Sequence, residues 1–138
     1  MGWELREDAL GAAPRGFSLR VGLPWMRSLP LSCVLQLAVT IDGRRLSDTD
    51  LRVRLHGLER SLTELAASTE WWFVQDRLVV TGPLDVCHGR EHEVEVSMQL
   101  LLPYLSAGPG QAAVLPFQLR RRLRLGDSTH PGTFRDVS

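Results

Sequence analysis

Apolar and polar residues alternate along most of this chain with the period of two that a half-buried β-strand demands. Phe17, Leu19, Val21 and Leu23 are separated by Ser18, Arg20 and Gly22, and Pro24 closes the run. Leu35, Leu37, Val39 and Ile41 alternate with Gln36, Ala38 and Thr40 as far as Asp42-Gly43, two residues that tolerate the positive φ angles of a tight hairpin turn. Leu51, Val53 and Leu55 predict a third strand whose outer face carries Arg52 and Arg54. The clearest run sets His92, Val94, Val96, Met98, Leu100 and Leu102 on one face and Glu93, Glu95, Ser97 and Gln99 on the other, with Pro103 at its end. As a helix, the same run would put Glu91 and Glu95 beside Val94 and Met98 and waste the apolar face.

Weaker signals complete the pattern. Trp71-Trp72-Phe73-Val74 and Leu78-Val79-Val80 flank Gln75-Asp76-Arg77 and predict a hairpin. Leu115, Phe117, Leu119, Leu123 and Leu125 alternate with Arg120, Arg122 and Arg124, although Arg121 interrupts the apolar face. Ser61-Leu62-Thr63-Glu64 matches a capping box and predicts a short helical turn over Leu62 to Ala67. Short strands divided by turn signals, with at most one short helix, predict an all-β fold: an antiparallel β-sandwich forming a single domain. Its expected span is 15–125, after an N-terminal segment 1–14 and before a flexible, polar tail 126–138, with a Pro/Gly loop at Ser106 to Gly110.

Composition narrows the function. The 138 residues suit one domain, and a domain of this size buries about two-thirds of its unfolded surface. Net charge is zero and the pI is near 6.9, so no footprint for nucleic acid or an anionic membrane is visible. No stretch reaches the roughly eighteen apolar residues of a membrane span. The polar start of the chain does not read as a secretory leader, and Cys33 and Cys87 form no C-x-x-C pair, so the expected compartment is the cytoplasm. All sixteen basic residues are Arg, which codon bias of a GC-rich genome explains.

Candidate chemistry is sparse. Cys87-His88 and His92 lie close together, but a zinc site needs three or four converging ligands and no second Cys/His pair is present. Ser28, Ser32 and Cys33 sit in no nucleophile-elbow pattern. Glu91, Glu93 and Glu95 share one solvated strand face. Gly108-Pro109-Gly110 lacks the Lys and the following helix of a phosphate loop. The Arg120 to Arg124 run suits a protein partner or plain solvation better than a nucleic acid. No catalytic and no metal-binding residue is therefore assigned in this chain. What remains are aromatics: Trp71 and Trp72 are adjacent and must point to opposite faces of a strand, and Trp25 lies in a proline-bounded, Arg-containing segment.

Several segments together resemble one family. Pro24-Trp25-Met26-Arg27-Ser28-Leu29-Pro30-Leu31-Ser32-Cys33-Val34, Val39-Thr40-Ile41-Asp42-Gly43, Glu70-Trp71-Trp72-Phe73-Val74, His92-Glu93-Val94-Glu95-Val96 and Leu102-Pro103-Tyr104-Leu105 are similar, in order and spacing, to the β subunit of C-glycoside deglycosidases. Met26 stands where an aromatic residue is expected, and the likeness fades beyond Gly110. The resemblance implies a β-sandwich accessory subunit bound to a metal-dependent, barrel-type catalytic α subunit. That complex is a carbon–carbon lyase acting on 3-oxo-C-glycosides, with a divalent metal, expected to be manganese, in the partner and no cofactor in this chain. Trp25, Arg27, Ser28, Leu29 and Pro30, with Trp71 or Trp72 nearby, are the expected docking residues. Two other readings remain open from the residues: a free-standing carbohydrate-binding sandwich using exposed tryptophans, and a hydrolase built on Ser28 or Cys33.

Overall fold

The alternating runs pair into two antiparallel sheets and a short ribbon in the computed structural model, which describes residues 5, 6, 8–13, 16–84 and 90–124. The expected tail 126–138, Leu125, Cys87 and His88 lie outside the described residues. The first sheet has the order β1-β2-β9-β6-β7, from β1 (Leu10–Ala13), β2 (Gly16–Gly22), β6 (Arg52–Leu55), β7 (Leu58–Ser61) and β9 (Arg77–Gly82). The second has the order β11-β10-β4-β5, from β4 (Val34–Ile41), β5 (Arg44–Arg45), β10 (Glu91–Gly108) and β11 (Gln111–Arg124). β3 (Leu29–Pro30) and β8 (Trp71–Trp72) form the ribbon.

The inward positions of both sheets meet in one hydrophobic core. Phe17, Leu19, Val21, Val53, Leu55, Leu78 and Val80 come from the first sheet; Val39, Ile41, Val94, Val96, Met98 and Leu100 come from the second. This is the antiparallel all-β sandwich that the alternation predicts. The segment ahead of residue 15 takes part as well: Leu10 is buried, and β1 pairs with β2. The helical turn over Leu62–Ala67 is a 3-10 helix, and the Glu64 carboxylate accepts the backbone N–H and the hydroxyl of Ser61 at 2.7 and 2.9 Å. Two three-residue 3-10 turns, Leu31–Cys33 and Asp48–Asp50, accompany it.

Asp42-Gly43 makes the expected tight turn, with φ of 53° and 79°. Four other details depart from the sequence reading. Leu35 does not share a face with Leu37: it pairs with Gln99 while Ala38 pairs with Ser97, so Gln36 and Leu37 stand opposite Met98 alone. Gln36, at φ 50°, is the bulge, and it turns Val34 rather than Leu35 into the core. Trp71–Val74 and Leu78–Val80 are not a hairpin, because β8 pairs with β3 whereas β9 lies between β2 and β6. Pro103 does not end its strand. It falls where the β10–β11 register shifts between Leu102 and Ser106, a place where a missing N–H is tolerated, and the strand runs on to Gly108 in place of the expected loop. Arg121, finally, faces inward without breaking the sheet, because its guanidinium donates to the Leu5 carbonyl at 2.6 Å.

Candidate functional site

The ribbon converts two adjacent tryptophans into opposite roles. Leu29 lies opposite Trp72 and Pro30 opposite Trp71. Trp72 is fully buried, and its indole N–H donates to the Asp76 carbonyl at 3.1 Å. Trp71, one residue away on the alternating backbone, is 48% exposed. Leu31 N–H to the Glu70 carbonyl at 2.8 Å and Val74 N–H to the Ser28 hydroxyl at 2.9 Å hold the two segments together beyond the two-residue ladder. The Asp76 N–H, bonded to the Phe73 carbonyl at 2.9 Å, closes the turn that follows.

This framework displays apolar surface. Met26 is 76% exposed, Phe73 41% and Val74 40%, and with Trp71 they account for four of the six large exposed hydrophobic side chains among the described residues. The other two, Leu58 and Val114, stand apart on β7 and β11. Exposed apolar side chains scattered singly are ordinary, but these four fall within β8 and the segments next to β3 and β8, which the Ser28–Val74 bond holds together. Arg27 is exposed at its border, whereas Trp25 is half-buried with its ring edge-on to Phe117, centroids 5.9 Å apart. Of the residues expected at the docking segment, Trp25, Arg27, Ser28, Pro30 and Trp71 therefore reach the surface, while Leu29 and Trp72 are buried supports. The reading missed Met26, Phe73 and Val74. The available signal was their apolar character: the sequence pattern places Phe73 and Val74 in a hairpin strand, and it marks Met26 only as a departure from the expected aromatic residue.

One polar cluster lies against this face. His56 and Gly57, at φ 53° and 79°, form the turn between β6 and β7. The His56 Nδ1 lies 3.0 Å from a Glu70 carboxylate oxygen, its Nε2 lies 2.6 Å from Asp76, and its ring tilts against Phe73 at 5.9 Å. Hydrogen bonding to Glu70 and then to Asp76 raises the imidazole pKa above its ordinary value. The other described histidine, His92, is buried with its Nδ1 2.6 Å from Asp42, at the opposite end of β4 from the ribbon. Cys33 is a free thiol whose burial pushes its pKa up, and the recorded bond of the Ser28 hydroxyl is to the Val74 amide. Neither is arranged as a nucleophile beside a base.

The Arg run proves to be part of a ladder. The register sets Glu91 opposite Arg124, Glu93 opposite Arg122 and Glu95 opposite Arg120, and the Arg120 guanidinium bonds to Glu95. The outward Arg residues thus stand across from acidic residues within the sheet.

Fold and site together define a β-sandwich protein with exposed aromatic and aliphatic side chains beside its short ribbon and no assembled nucleophile among the described residues. Comparison with known proteins makes this specific. The family model of the C-glycoside deglycosidase beta subunit matches residues 4–104, and the chain belongs to that family. It is 40% identical over 102 residues to a C-glycoside deglycosidase beta subunit of Microbacterium trichothecenolyticum, covering 73% of this chain and 74% of that protein. It is 37% identical over 100 residues to the 3'-dehydrocarminate deglycosidase beta subunit of a Microbacterium species, covering 72% and 76% of the two chains. A beta subunit of Arthrobacter globiformis is 40% identical over 99 residues, covering 70% and 75%. The matched region contains the whole ribbon and ends before β11.

Proposed function

We propose that this chain is the accessory subunit of a bacterial C-glycoside deglycosidase, docked through the Met26/Trp71/Phe73/Val74 face onto a barrel-type catalytic subunit in the cytoplasm. The observation that carries the reading is this apolar face on a ribbon already pinned by Leu29 and Trp72, since such surface is stable in water chiefly as one half of an interface. Membership in a family of beta subunits supplies the expectation of a partner. In this reading the divalent metal, taken as manganese, and the catalytic groups belong to the partner; among the described residues no three His, Cys, Asp or Glu side chains converge to hold a metal ion. Among them, no helix is long and apolar enough to cross a membrane.

The substrate class in this reading is a 3-oxo-C-glycoside. The ketone acidifies the adjacent C–H, a base removes that proton, and a carbon–carbon double bond forms as the aglycone carbon departs and is protonated. The role of the present chain is to bind and brace the subunit that performs these steps. Co-expression with a barrel-type catalytic subunit of a C-glycoside deglycosidase should give one gel-filtration peak containing both chains. Two separate peaks at micromolar concentration, with activity unchanged when this chain is omitted, would sink the assignment. The exposure of Trp71 also favours a second reading, a free carbohydrate-binding module, which demands saturable fluorescence quenching by simple glycosides in the absence of any partner.

A further inference from the structure

The segment from Trp71 to Val74, exposed except for Trp72, is bounded by the half-buried Glu70 and Asp76, and one side chain from elsewhere in the chain spans both. His56, presented by the β6–β7 turn, places one ring nitrogen on Glu70 and the other on Asp76, at 3.0 and 2.6 Å. Asp76 is itself a junction: its carbonyl accepts the buried Trp72 indole N–H, and its amide closes the turn to Phe73. A neutral imidazole has one N–H and can donate to one of two carboxylates; an imidazolium donates to both. With both nitrogens facing acceptors, neither is left to meet a substrate, so the arrangement suits a fastener rather than an acid–base catalyst.

We infer that His56 is a proton-operated clasp across the base of the Trp71–Val74 segment, holding Phe73 and its neighbours in the geometry that meets a partner protein and loosening as the imidazole loses its proton. This deepens the docking reading given above and rests on it for the consequence in assembly; the clasp itself is a property of the chain alone. The titratable groups facing the ring are Glu70, from the segment entering β8, and Asp76, from the turn leaving it; Phe73 contributes ring contact without charge. The raised pKa of the imidazole agrees with this geometry. The sign follows from linkage: the clasp is complete below the ordinary imidazole value of 6.5 and is lost as pH rises through the higher folded value. A partner that binds the ordered segment then binds more weakly at alkaline pH, by the fraction of molecules still clasped.

Amide hydrogen exchange on the full chain tests the clasp without a partner. After correction for intrinsic rates, the Val74 and Asp76 amides should be protected about threefold more at roughly pH 6 than at roughly pH 8.5, the loss of one hydrogen bond in the segment. His56→Asn, which tolerates the positive φ of the turn but is too short to span both carboxylates, should abolish that difference, and Glu70→Gln should move its midpoint to lower pH. Equal protection at both pH values in the unmodified chain, or an unchanged pH profile in His56→Asn, overturns the inference. Binding to the barrel subunit should show the same pH slope, and its persistence in His56→Asn also overturns it. A chain that binds no partner at any pH refutes the docking reading instead, while the exchange experiment still decides the clasp.

Discussion

The ribbon face and the β10–β11 arm are the two parts of this molecule that could be taken for interaction surfaces, and they are built on opposite plans. The arm is conspicuous in sequence, with four Arg residues among the five from Arg120 to Arg124. In the sheet the register sets each outward Arg opposite a Glu of β10, and at Arg120 the pair is closed by bonds to Glu95, which an external partner would have to displace. The ribbon face is inconspicuous in sequence, a few apolar residues divided between two short segments. In the fold the two segments carrying those residues are held side by side, and the side chains stay exposed, Met26 at 76%. The family match points the same way, covering the ribbon and stopping short of β11. A surface announces a partner by what the chain leaves uncovered rather than by how many charges it carries.

The largest effect that sharpens the contrast comes from within the ribbon. Trp72→Ala should destabilise the fold by about 3–5 kcal/mol in urea denaturation, the usual consequence of emptying a buried aromatic site. Trp71→Ala, one residue away, should shift stability by less than about 1 kcal/mol. On the proposed docking mode it should nevertheless weaken assembly with the partner subunit at least about tenfold by calorimetric titration, as should Met26→Glu, because truncated or charged groups at the centre of an interface are felt most. Equal effects of Trp71→Ala and Trp72→Ala on stability would break the division into display and support.

A smaller effect belongs to the Asp42-Gly43 turn between β4 and β5, at one edge of the second sheet. The Asp42 carboxylate accepts from the Glu93 amide at 2.9 Å and meets His92 Nδ1 at 2.6 Å, and its pKa is lowered first by His92 and then by that amide. Its contribution is present above the ordinary value of 3.8 and fades as pH falls through the lower folded value, so Asp42→Asn should make acid unfolding less steep. At neutral pH, Asp42→Ala should cost about 1–2 kcal/mol for acceptors removed from a buried ring and a strand amide. The smallest effect is expected on the arm: Arg120→Ala should leave both the denaturation midpoint and the assembly affinity unchanged within error, since an exposed ion pair is screened and its side chains lose entropy in forming it. A marked loss of assembly in Arg120→Ala would reverse the roles of the two surfaces.

Much of the scaffold could be read from the residues. Period-two alternation identified the buried face of β10 from His92 to Leu102 without error, and Ser61-Leu62-Thr63-Glu64 placed the short helical turn where it occurs. These features depend on neighbours in sequence, and a strand's alternation or a capping box is complete within a few residues. The bulge at Gln36 was hidden because an extra residue becomes visible against a partner strand, here β10, and apolar Val34 and Leu35 offered either choice. The pairing of β8 with β3 was hidden for the same reason: a Trp-Trp-Phe-Val run beside a turn satisfies a hairpin pattern, and what overrode it was the burial of Trp72 against a strand forty residues earlier.

By itself the sequence determined the all-β character, the inward set of most strands and the likeness to a family of small subunits. These are consequences of local periodicity and of motifs in linear order. The tertiary structure alone decided that Trp72 is buried and Trp71 exposed, that Met26, Phe73 and Val74 stay exposed, that His56 bridges Glu70 and Asp76, and that the outward Arg residues stand opposite Glu. Each of these depends on which segments meet across long sequence separations, and that is set by the packing of two sheets around one core.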